Sequence, residues 1–196
     1  MSNQSDSFYN KFSLFYPLVD IFLGRQKKIL FKELNALANG HLLEIGVGNG
    51  SHLKYYNKHN VIGIDTSFKM LNIASKRGYK NIKLLKMDGE QLVFDDKQFD
   101  YVVLSHTLAV VDNQTQLLEE VFRVLKPEGQ MLILNHFTPN NWLRYLDRAF
   151  SKIGKLVHFK SVFYIDEIPA IKKFEITKEI YFGLTSYFKL LICKKR

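Results

Sequence analysis

Leu42-Leu43-Glu44-Ile45-Gly46-Val47-Gly48-Asn49-Gly50 is the stretch that decides the fold. An apolar strand runs into three alternating glycines, and a helical pattern follows. Glycines at such a junction let the backbone turn tightly and approach a ligand closely. The helix behind them presents N–H groups that have no partner inside the helix. A dinucleotide fingerprint would place its third glycine at the position of Ser51, so the fit to that pattern is imperfect. Glu44, just ahead of the glycines, suits a ligand with a cationic end and opposes a pyrophosphate.

Outward from this motif, strand and helix patterns alternate. Short apolar runs at 41–45, 61–64, 82–86, 101–105 and 130–135 read as five strands. Helical patterns at 51–56, 67–76 and 113–125 separate them, and Lys126-Pro127-Glu128-Gly129 reads as a stop signal and turn. This order predicts a parallel sheet covered by helices on both faces. Residues 140–153 read as a further helix. Segments 174–181 and 185–193, with a turn at Gly183, read as an antiparallel pair, which brings the sheet to seven strands. Residues 7–39 read as helix with breaks: a new helix opens at Pro17, Gly24 interrupts it, and a third helix over 25–38 turns Ile29, Leu30, Leu34 and Leu37 inward.

Asp65 closes the second strand, about 20 residues past the first glycine. A carboxylate at that spacing bonds ribose hydroxyls in Rossmann-like sites. Asp65, Thr66 and Ser67 are also each able to cap the helix that starts near Phe68. His106 ends the fourth strand and His136 follows the fifth, where α/β sites form, so either can take a proton or bond a phosphate. His41, His52, His59 and His158 lack that placement.

The glycine motif resembles the first motif of class I S-adenosylmethionine-dependent methyltransferases. Met87-Asp88-Gly89-Glu90 resembles the segment of that class that meets adenine. Phe99-Asp100-Tyr101-Val102-Val103 resembles its fourth-strand motif, and Leu125-Lys126-Pro127-Glu128-Gly129 its loop before the fifth strand. The resemblance implies a Rossmann-like methyltransferase fold, S-adenosylmethionine as cofactor and S-adenosylhomocysteine as product. It implies a cofactor site of Tyr16, Glu44, Gly46, Gly48, Gly50, Asp65, Thr66, Met70, Met87, Asp88, Gly89, Glu90 and Ser105.

The flanks narrow the resemblance. Tyr9-Asn10-Lys11-Phe12 through Tyr16, Gly24-Arg25, Asn135-His136-Phe137 and Gly183 to Phe188 look like the bacterial phosphatidylethanolamine N-methyltransferase family. Asn10 departs from the usual Asp, and Ser105-His106-Thr107 from the frequent glutamine and tyrosine. This likeness implies N-methylation of phosphatidylethanolamine or a related amine. Tyr9, His106 and His136 would act on the acceptor, Tyr16 would close over the methyl with Tyr9, and Arg25 and Asn135 would hold the substrate. Residues 1–39 would be a helical lid or membrane-contacting segment, and 40–196 the catalytic domain. Phe8, Phe12, Phe15 and Phe22 would enter lipid or pack over the site.

Composition sets the remaining bounds. The 196 residues carry a formal net charge of +9, which favours acidic partners such as an anionic membrane surface. One cysteine, Cys193, builds neither a disulfide framework nor a zinc site, and the histidines show no metal spacing, so no metal is expected. The start of the chain lacks the order of a secretory signal. The expectation is a cytoplasmic protein, peripheral on the inner face of the membrane, acting as monomer or homodimer without nucleic acid. Rival readings are a soluble small-molecule N- or O-methyltransferase, an RNA methyltransferase and a nicotinamide-dependent reductase.

Overall fold

The computed structural model describes residues 16–79, 81–137, 164–183 and 188–196, with side chains from residue 24 onward. Seven strands form one sheet: β1 (His41–Ile45), β2 (Asn60–Asp65), β3 (Ile82–Lys86), β4 (Phe99–Ser105), β5 (Leu125–His136), β6 (Phe174–Phe182) and β7 (Phe188–Lys195). Their order is β3-β2-β1-β4-β5-β7-β6. The first five are parallel, and β7 pairs antiparallel with both β5 and β6. The chain leaves β1 toward β2 and β3, then returns to β4 on the other side. Adjacent loops therefore splay apart beyond the carboxyl ends of β1 and β4, the place where ligands bind in open α/β sheets.

Side-chain alternation assigns the layers. Leu42, Val103, Leu132, Leu134, Leu190 and Ile192 face helix α1 (Tyr16–Ala36), which contributes Leu30, Phe31 and Leu34. The neighbouring residues Leu43, Ile45, Val102, Leu104, Met131, Ile133 and Cys193 face the opposite layer. That layer holds helix α3 (Gln114–Val124), whose Leu117, Leu118, Val121 and Val124 are fully buried. Helix α2 (Phe68–Ser75) closes a smaller cluster with Val47 and Leu53. Successive residues of β4 are buried because both faces are covered, which is why it reads as an unbroken apolar run. Cys193 lies inside this core, and burial pushes its thiol up to about 12, so it packs and does not react.

Three expectations are corrected. Gly24 does not break the helix: α1 runs unbroken from Tyr16 to Ala36. A glycine inside a helix costs only about 1 kcal/mol, less than the burial of Leu30, Phe31 and Leu34 returns. Pro17 sits in the first turn, where its missing N–H is harmless. Residues 51–56 form only a 3-10 turn, Leu53–Tyr55, since so short a segment cannot offset helix nucleation. Lys126 to Gly129 does not precede β5 but lies within it. Phe99 pairs Leu125 and Tyr101 pairs Gln130, so the extra residues bulge outward, with Glu128 at φ 65°. The second hairpin segment is described from Phe188, as β7, and its expected first residues 185–187 lie outside the described residues. The helix expected over 140–153 lies outside the described residues.

Candidate active site

The glycine loop leaves β1 at the switch point. Gly46 and Gly48 have φ of +84° and +54°, a region that favours glycine. A Cβ on Gly46 would lie 2.6 Å from Thr107 Oγ1, whereas a Cβ on Gly48 would meet nothing within 4 Å. One glycine is required by packing. The other faces open space.

Asp65 comes to the loop from the end of β2. Its Oδ2 accepts from the Gly48 amide at 2.8 Å, and its Oδ1 from the Ser67 amide at 2.9 Å. Capping of α2 falls to Ser67, whose hydroxyl accepts from the Met70 amide. Each oxygen of Asp65 keeps a second lone pair, enough for a ribose diol. Burial raises the Asp65 carboxyl above its usual range; the amides of Ser67 and Gly48 oppose this, and the charge of Glu44 reinforces it. Negative charge at Asp65, reinforced by the buried Glu44 beside it, disfavours a pyrophosphate at this end of the loop.

The segment after β3 supplies the next wall. Met87 is half-buried against the core, and Asp88 Oδ1 accepts from the Glu90 amide at 3.0 Å. Gly89 is buried, and a Cβ there would lie 2.6 Å from Ile45 Cγ2. Glu90 turns away: its Oε1 accepts from the amides of Asp112 and Asn113 at the start of α3. Met70 is buried in the first turn of α2, and Thr66 is half-exposed beside Asp65.

Across the cleft, β4 and β5 bring together Ser105, His106, Asn135 and His136. His106 holds φ 60°, an uncommon conformation for a residue with a side chain, and its amide donates to Leu134 O at 2.7 Å. Phe188, at the start of β7, stands edge-on to both imidazoles, with ring centroids 5.9 Å from His106 and 6.3 Å from His136. Asn135 is fully buried; its Nδ2 donates to His136 O at 2.9 Å. Asn135 Oδ1 and Ser105 Oγ are buried without a hydrogen-bond partner among the described residues. Such orphaned acceptors mark a place built for a ligand or ordered water.

A family model for the methyltransferase domain matches residues 43–133. A phosphatidylethanolamine N-methyltransferase of Cereibacter sphaeroides is 30% identical over 164 residues, 80% of this chain and 81% of its own length. This chain belongs to the S-adenosylmethionine-dependent methyltransferases of class I. A demethylmenaquinone methyltransferase of Lactobacillus johnsonii is 35% identical over 156 residues, 70% of this methyltransferase and 64% of its own chain. Among solved structures, a SAM-dependent methyltransferase of Thermotoga maritima, titled a possible histamine N-methyltransferase, superposes with a TM-score of 0.71 at 22% identity. It covers 97% of this chain and 99% of its own.

The methyltransferase's own residues fit its cofactor. Asp65 offers acceptors suited to a ribose diol, Gly48 leaves room at the loop, and Ser105 Oγ lacks a partner among the described residues. Bound there, S-adenosylmethionine supplies an electrophilic methyl on a sulfonium.

Arg25 is exposed on α1, away from these strand ends in sequence and on an outward stripe with Lys28 and Lys32. Tyr9 lies outside the described residues, as does the side chain of Tyr16. Sequence reasoning missed Phe188, Thr107, and the partners of Glu44. That carboxylate is fully buried, and His52 and Tyr56 bind it. Thr107 Oγ1 donates to Ile45 O at 2.8 Å and so pins the loop after β4 to β1. A histidine and a tyrosine shortly after the glycines were the available signal for the partners of Glu44. Among the described residues no cluster of metal-ligating side chains occurs.

Proposed function

We propose that this enzyme methylates the primary amine of phosphatidylethanolamine or a closely related lipid headgroup. The observation that carries the reading is the 30% identity, spread over 80% of this chain, to a protein named for that reaction. The site chemistry is compatible. An amine must be neutral to attack, so a group must hold its proton. His106 and His136 stand at the carboxyl ends of β4 and β5, and an imidazole is a side chain able to take up a proton there. Asn135 Oδ1 is an acceptor able to orient an amine N–H. Phe188 stands against both imidazoles and offers a ring to a methylated cation.

The membrane side of the reading rests on charge. Arg25, Lys28 and Lys32 are exposed and share one face of α1, suited to anionic headgroups at the inner surface of the cell membrane. Among the described residues no helix is long and apolar enough to cross a bilayer, so the proposed contact is peripheral.

A second reading has its own support. The 35% identity to a demethylmenaquinone methyltransferase favours a quinol carbon as acceptor. Labelled S-adenosylmethionine, offered with phosphatidylethanolamine in vesicles containing anionic lipid and separately with a reduced demethylated quinone, separates the two. Label in the phospholipid alone is the expected result. Label in the quinone alone overturns it.

A further inference from the structure

We propose that His52 and Tyr56 are positioning residues for the cofactor: they grip both oxygens of Glu44 and thereby latch the two ends of the glycine loop together. Glu44 lies on β1, and its side chain points to the α1 face of the sheet. It is fully buried. His52 Nε2 lies 2.6 Å from its Oε1, and the Tyr56 hydroxyl donates to its Oε2 at 2.8 Å. The two donors flank the 3-10 turn Leu53–Tyr55. Glu44 precedes the loop and its donors follow it, so these contacts bridge Gly46 to Gly50. Phe31 of α1 roofs the latch, with its ring centroid 5.8 Å from His52 and 4.9 Å from Tyr56.

Position argues against a purely structural role. A buried ionic group is a poor way to gain stability, since an apolar side chain of similar size packs as well without desolvation cost. The rest of this face is filled by Leu42, Val103 and Leu132, which shows that apolar residues fit here. The latch is also electrically joined to the site, for the charge of Glu44 reaches Asp65, and Asp65 holds the Gly48 amide. Burial, then the charge of Glu44, hold the Tyr56 phenol well above its ordinary range, so it stays a donor. Glu44 therefore acts through the loop it fixes, with both oxygens already engaged.

The inference rests on family membership and not on the lipid reading, so its test needs no acceptor. Calorimetry would measure S-adenosylhomocysteine binding to Tyr56→Phe, His52→Leu, His52→Gln and, as reference, Val121→Ala on the opposite face. Tyr56→Phe and His52→Leu are expected to weaken binding roughly tenfold, the scale of one charge-assisted hydrogen bond. Gln retains an amide donor and should recover most of the loss. Val121→Ala should lower the melting temperature without altering affinity. Unchanged affinity in both latch variants overturns the proposal, as does an affinity loss in Val121→Ala equal to theirs. The wild-type protein gives a second reading: the His52 ring-nitrogen resonance should shift when S-adenosylhomocysteine binds, and its constancy across saturation would contradict the latch.

Discussion

Alanine at Gly46 should act mainly on stability, and alanine at Gly48 mainly on binding. At Gly46 the new Cβ meets Thr107 Oγ1 at 2.6 Å, and that hydroxyl is the one bonded to Ile45 O. Left-handed strain costs about 1–2 kcal/mol, and displacing a buried hydrogen bond adds about 1–3 kcal/mol. A loss of roughly 3 kcal/mol lowers the melting temperature by about 6–12 °C in a domain of this size. At Gly48 only the strain applies, because a Cβ there has nothing within 4 Å. The melting temperature should fall by about 2–8 °C. Yet the methyl would stand in the open space that we assign to the cofactor. An overlap of about 1–3 kcal/mol there weakens S-adenosylhomocysteine binding roughly 10- to 100-fold. Thermal denaturation and calorimetry on the two variants decide the matter. A Gly48→Ala protein that binds the nucleoside as tightly as wild type would show that the loop does not face the ligand.

Other residues yield further expectations. Asp65→Ala should weaken S-adenosylhomocysteine binding by about 100-fold or more, since it removes the acceptors for a ribose diol and releases the Gly48 amide; fluorescence titration reads this directly. His59 is buried with Nε2 3.1 Å from Leu34 O, and burial lowers its pKa below the ordinary value. The unfolded chain then binds the extra proton first, so stability should fall as pH drops through about 6.5 toward the lower folded value. Urea denaturation across that window should show the slope, and His59→Gln should flatten it. Lys195 is buried, and its Nζ caps the carbonyls of Phe122 and Leu125 at 2.5 and 2.6 Å, where α3 ends. Lys195→Met should cost about 1–3 kcal/mol in urea denaturation by leaving those carbonyls unpaired.

The sheet was legible because its strands are buried on both faces and read as short unbroken apolar runs, Val102-Val103-Leu104 among them. The glycine loop and Asp65 were legible because their spacing is local. What escaped depends on tertiary contact. Gly24 looked like a helix break until the packing of Leu30, Phe31 and Leu34 outweighed local propensity. Glu90 reads as a cofactor contact in the sequence, and its Oε1 also accepts from the amides of Asp112 and Asn113, which a distant helix start brings to it. Phe188 joins His106 and His136 only through the register that sets it opposite His136 across β5 and β7. No periodicity in the chain announces such a pairing.

The most direct test of the proposed reaction is to express the protein in a bacterial host whose membranes contain phosphatidylethanolamine but no methylated derivative, and to weigh the extracted lipids by mass spectrometry. New phospholipids heavier than phosphatidylethanolamine by one or more methylene units, absent with Asp65→Ala, are the predicted outcome. An unchanged phospholipid profile beside newly methylated quinone, from a protein that binds S-adenosylhomocysteine, would contradict the lipid amine as acceptor.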